Sequence, residues 1–94
     1  LAWGVKRLTA DNAREMGLTD RGLLKSGLKA DINVLDYDNM QLRRPEIVYD
    51  LPAGGKRLIQ RTDGFDATIV SGVVVYRQGE ATGALPGRLI RAGC

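Results

Sequence analysis

The chain has 94 residues, with 14 basic against 11 acidic side chains, a net charge of +3, and no histidine. That length makes one domain at most, with little core for its surface, and the single cysteine, Cys94, excludes an internal disulfide. The basic residues are scattered (Arg43-Arg44, Lys56-Arg57, Arg77, Arg88, Arg91) rather than set in a stripe with stacking aromatics, so nucleic-acid binding is not expected. No apolar run spans a bilayer and no signal-peptide pattern opens the chain. Cysteine usage sets a reducing, cytoplasmic location as the expectation. With one Trp, three Tyr and one Phe, the core falls to Val, Ile and Leu.

In chain order, Leu1, Val5 and Leu8 share one helical face, with Trp3 at its edge, where it is expected to border the core. Thr9 is placed to cap a second short helix over 10–16 with its hydroxyl. Gly17 supplies the left-handed residue that ends it, with Leu18 folding back as the hydrophobic contact. A chain that begins without methionine, inside a helix, is expected to be a fragment. Gly22 and Gly27 then bracket a short strand at Leu23-Leu24, and Lys25-Ser26-Gly27 reads as a turn. Asp31, just ahead of a strand over 32–35, is placed to accept from turn amides. Residues 38–44 read as a polar loop closed by Pro45, and 46–51 as extended chain, because Leu51 precedes Pro52. A turn at 52–55 leads into a strand over 56–61, and Thr62-Asp63-Gly64 turns again. The clearest hairpin joins 67–70 to 73–76 through Ser71-Gly72, with Gln78-Gly79 ending it. The remainder, 82–94, is punctuated by Gly and Pro. The fold expected is mainly β, with two short N-terminal helices feeding an antiparallel structure, a small sandwich or part of one.

No motif for chemistry emerges. Catalytic zinc takes converging His, Cys and carboxylate ligands, and the chain offers one terminal thiol and no imidazole. Asp36 and Asp38 fail as a calcium loop, since Gln41 stands where the turn glycine belongs and Ile47 where the bidentate Glu belongs. Ser26 and Ser71 lie beside glycine in turns with no histidine to serve as base; a serine–lysine pairing through Lys25 or Lys29 is conceivable, but turn formation accounts for both serines. Ala53-Gly54-Gly55-Lys56-Arg57 lacks the spacing and the trailing Ser or Thr of a phosphate loop. Asp63 and Asp66 flank a turn, where Asp bonds locally.

Two stretches carry a resemblance. Leu8-Thr9, Asn12-Ala13-Arg14, Gly17-Leu18, Gly22, Gly27 and Ala30-Asp31-Ile32-Asn33-Val34-Leu35-Asp36 resemble the exit from the barrel in amidohydrolases. Residues 49–59, 67–72, 76–80 and 82–91 look like the C-terminus of the N-acyl-D-amino-acid deacylases (D-aminoacylases). The resemblance implies a parent with a zinc-bearing (β/α)₈ barrel that hydrolyses an amide with metal-activated water. It also implies a composite β-sandwich domain built from both chain ends. Residues 1–17 would then be the helices that end the barrel and 18–94 the C-terminal share of the β-domain. No position matches the family's metal ligands, so no catalytic, cofactor-binding or metal residue is assigned. Expected partners are the barrel and the N-terminal strands of the parent, with self-association through exposed strand edges, and neither nucleic acid nor membrane. The alternative is a free-standing small β binding module without enzyme activity.

Overall fold

The computed structural model describes residues 1–91. Helix α1, Ala2–Leu8, joins helix α2, Ala10–Glu15, through a kink at Thr9, where φ is −123° and ψ −81°. The Thr9 hydroxyl does not cap α2 as expected; it donates to the Val5 carbonyl at 2.7 Å, one turn back along α1. A threonine that can reach the i−4 carbonyl satisfies its own donor and leaves the capping role unfilled. At the other end of α2, the Leu18 amide donates to the Ala13 carbonyl (2.8 Å) and the Gly17 amide to Arg14 (3.1 Å). With Gly17 at φ +71° this is the paired Schellman closure that the Gly-Leu dipeptide predicts.

Eight strands follow among the described residues, all paired antiparallel. One sheet runs in the order β1 (Ile32–Leu35), β6 (Phe65–Val70), β7 (Val73–Arg77), β8 (Glu80–Ala81). The Ser71-Gly72 turn between β6 and β7 puts both central residues at positive φ (+52° and +79°), the condition that matches hairpin twist. Gln78-Gly79 does the same at +52° and +80°, so it does not end the structure but turns the chain back into β8. The Gln78 amide donates to the Asp66 carbonyl at 2.9 Å and fixes that turn against β6.

The second unit is a long hairpin. β2 (Gln41–Leu42) pairs with β5 (Thr62–Asp63), and β3 (Glu46–Val48) with β4 (Arg57–Ile59). Arg43 continues the first ladder, its amide donating to Arg61 at 2.9 Å. Partner numbers sum to 104 in the β2–β5 ladder (Leu42↔Thr62) and to 105 in the β3–β4 ladder (Ile47↔Leu58). One extra residue is therefore held on the Arg44-Pro45 side, where proline has no amide to lend to a ladder. The bulge keeps Leu42, Leu58 and Ile47 on one face of the hairpin and the ion pairs Arg43–Asp63 (2.7 Å) and Arg61–Glu46 (3.2 Å) on the other.

Three local expectations are corrected. Leu23-Leu24 is not a strand: no segment among the described residues pairs with it, and the loop is closed instead by Lys29 donating its amide to the Asp20 carbonyl at 2.7 Å. Thr62-Asp63 is strand, and the turn is confined to Gly64. Residues 38–44 are not a plain loop, since a 3₁₀ turn at Tyr37–Asn39 leads into β2. The extended segment from 46 and the strand from 56 are present but shorter, with a 3₁₀ turn at Pro52–Gly54 between them.

Packing is thin. Among the described residues Ala13 is the only buried apolar side chain and Asp11 the only buried charged one. Leu1, Leu8 and Trp3 are 72–79 % exposed, so Trp3 borders no core; instead Arg7 lies over its ring, 5.1 Å from the centroid. The chain exposes 7938 Å², against about 5,300 Å² for a closed monomer of its 10.2 kDa mass. Its radius of gyration is 15.5 Å, where a closed chain of this length has about 12–13 Å.

Candidate functional site

The residues that bear chemistry gather where β1, the β6–β7 turn and the loop after α2 meet. Asp31, at the entry to β1, accepts the Ser71 amide at 3.0 Å and faces the Arg21 guanidinium at 3.5 Å. Its turn-amide role therefore holds, but the turn served lies forty residues downstream. Arg21 is itself clasped by Asp20, with Nε 3.0 Å and Nη2 3.3 Å from the two carboxylate oxygens. That hydrogen bond is the main reason the Asp20 carboxyl is held below its ordinary range and the Arg21 guanidinium above its own. Gly72 donates to the Ala30 carbonyl at 3.0 Å, which completes the tie between the two segments.

Of the serine–lysine pairings, the fold brings together Lys29 and Ser71: the ammonium donates to the hydroxyl oxygen across 42 positions of sequence. Lys25 and Ser26 stay in their own exposed turn. The Lys29–Ser71 contact does not make a nucleophile. Acyl transfer needs amide donors near the attacking oxygen to receive the developing charge, and the amides of Ser71 and Gly72 are both spent, on Asp31 and Ala30. Nor is Lys29 enclosed in apolar surroundings of the kind that make lysine a base. The contact pins the hairpin turn to the strand entry.

The other sequence candidates are local fasteners. Asp36 accepts from the Asn39 amide side chain at 2.7 Å, Asp63 takes Arg43, and Asp66 accepts from Gln78 at 3.3 Å. Ala53 and Gly54 form a tight turn at φ +59° and +72°, closed at its neck by Arg57 reaching both oxygens of Asp50 (2.8 and 2.6 Å). It presents no helix start to a phosphate. Among the described residues no three His, Cys, Asp or Glu side chains converge. With no imidazole in the chain and five of its aspartates (Asp11, Asp20, Asp31, Asp50 and Asp63) engaged by basic partners, the donor set does not fit a zinc ion.

Sequence reasoning missed the naked apolar surface. Leu42 is 67 %, Ile47 57 % and Leu58 69 % exposed, on the one face that the Arg44-Pro45 bulge aligns. The outer edge of β1 is likewise unpaired among the described residues. No alternation signals this face, since the apolar residues of 57–63, Leu58 and Ile59, are adjacent, and only the register across the bulge aligns Leu58 with Leu42 and Ile47.

No curated protein and no solved structure matches the chain. The family model described as "Amidohydrolase family" matches residues 2–76, from the start of α1 to the end of the β6–β7 hairpin. That span takes in most of the structure described above, and the chain belongs to the amidohydrolase family.

Proposed function

We propose that this chain is the non-catalytic C-terminal share of the composite β-domain of a metal-dependent amidohydrolase, and that it braces the barrel of its parent. The observation that carries the reading is the unclosed surface: a family member with an ordered antiparallel sheet, yet with Ala13 as its only buried apolar side chain among the described residues. A domain that leaves roughly 2,600 Å² more surface than a closed monomer has the deficit of an obligate interface rather than of a transient one. The barrel and N-terminal strands of the parent would cover it, with the outer edge of β1 receiving a strand.

The activity we assign to the parent is hydrolysis of the amide of N-acyl-D-amino acids, with zinc held by the barrel, in the cytoplasm. It rests on the resemblance of residues 49–59 and 82–91 to the D-aminoacylase C-terminus. No described helix is long and apolar enough to cross a membrane. The test is to read the frame upstream of Leu1 and to assay the purified chain with zinc on an N-acetyl-D-amino acid. We expect an open frame encoding a His-x-His after an early strand, and no turnover by the chain alone. Reproducible turnover by the chain, or a stop codon and start immediately before Leu1, would overturn the reading and favour a free-standing binding module.

A further inference from the structure

A cleft of about 620 Å³ lies between the loop after α2 (Gly17–Arg21) and the final segment (Pro86, Arg88–Arg91), with Lys29 and Ser71 in its wall. That volume is in the range of small-molecule sites. Its charge is one-sided: Arg21, Lys29, Arg88 and Arg91 line it, against the carboxylate of Asp20 alone among the described residues. Asp20 is already taken by Arg21. Lys29, Arg88 and Arg91 form no salt bridge among the described residues, whereas the arginines of the long hairpin, Arg43, Arg57 and Arg61, each have a carboxylate.

Lys29 is fixed in place all the same. Its ammonium donates one of three hydrogens to the Ser71 hydroxyl, and its backbone amide is bonded to Asp20. An oriented ammonium with two donors to spare stands in a concave site with two guanidinium groups that have no carboxylate partner among the described residues. Like charges gathered there repel one another, and an anion relieves the repulsion while accepting charge-assisted hydrogen bonds. Guanidinium groups favour planar, doubly accepting oxyanions such as carboxylate and phosphate.

We infer that this cleft binds a small molecule bearing clustered oxyanions, held by Lys29, Arg88 and Arg91 with the Ser71 hydroxyl as a further contact. The site uses neither the outer edge of β1 nor the apolar face of the hairpin, so it stands apart from the composite-domain reading, and either can fail alone.

The experiment is a titration at low ionic strength, followed by amide NMR and calorimetry, with pyrophosphate as one probe and tricarballylate as the other. It is run on the 94-residue chain and, if the upstream frame encodes one, on the longer protein that contains it, with amide NMR of the free chain confirming an ordered sheet before titration. Saturable binding with shifts confined to residues 17–21, 29, 71 and 86–91 is expected, and the tighter probe tells phosphate from polycarboxylate. The double variant Lys29→Met, Arg88→Met should bind about tenfold more weakly or worse, while Arg43→Met, on the distant hairpin, should bind as the parent chain does. Persistence of β6–β7 shifts in each variant verifies the fold. Failure of both probes to saturate, shifts spread over every basic side chain, or unchanged affinity in the double variant would overturn the proposal.

Discussion

Gly64 carries more conformational demand than its polar surroundings suggest. It sits at φ +96° between β5 and β6, and a Cβ there would lie 2.8 Å from the Met40 Cα and 3.0 Å from the Asp36 carbonyl oxygen, which are backbone atoms with no rotamer to move. Its own carbonyl accepts the Asp36 amide at 2.7 Å. Gly64→Ala is therefore expected to cost about 2 kcal/mol or more, from positive-φ strain added to the clash. Gly87→Ala, with open space around it and no positive φ, should be close to neutral. Urea titrations of the two variants followed by amide NMR check the contrast. Asp11 is the other decisive residue: the Lys6 ammonium donating to it at 3.0 Å is the largest cause holding its carboxyl below the usual range, with Arg14 and Arg7 adding to it. A folded-state value below the unfolded one of about 3.9 means this contribution is whole above that pH and is lost as pH falls through the folded value. Acid should loosen the α1–α2 junction. Asp11→Asn should remove that contribution already at neutral pH, read from the amide shifts of Ala10–Arg14.

At the scale of elements, the long hairpin divides its labour by face. Its charged face is paired, and the apolar face of Leu42, Ile47 and Leu58 is bare. Ile47→Thr with Leu58→Thr places two β-branched strand formers opposite each other. The double variant should thus preserve the β3–β4 ladder while lowering binding of a hydrophobic dye and self-association, as fluorescence and sedimentation would report. Loss of the ladder instead would mean that the pair stabilises the hairpin itself. The β6–β7 hairpin was legible in the sequence because Ser71-Gly72 is flanked by apolar runs on both sides. The matching turn at Gln78-Gly79 was not read as a hairpin because β8 is two residues long and shows no alternation to detect. Leu23-Leu24 misled for the opposite reason: strand-like residues between glycines still need a neighbouring strand to satisfy their backbone groups, and none lies there among the described residues.

For the whole molecule, the balance is between an ordered backbone and an open surface. Scattering from the chain alone should give a radius of gyration well above the 12–13 Å or so of a closed domain of this length, near or beyond the 15.5 Å observed here. A value near 12 Å would show that the chain closes on itself. Sequence by itself determined the β-rich class, the glycine-closed end of α2, the central hairpin and the lack of an imidazole for metal chemistry, because each depends on residue type and on neighbours a few positions away. The tertiary structure decided what meets across long separations: Lys29 on Ser71, Asp31 under the Ser71 amide, and Lys29, Arg88 and Arg91 around one cleft. It also decided which apolar faces stay uncovered. A bulge of one residue at Arg44-Pro45 sets the face that Leu42 shares with Ile47, and only the observed pairing of the two strands fixes that register.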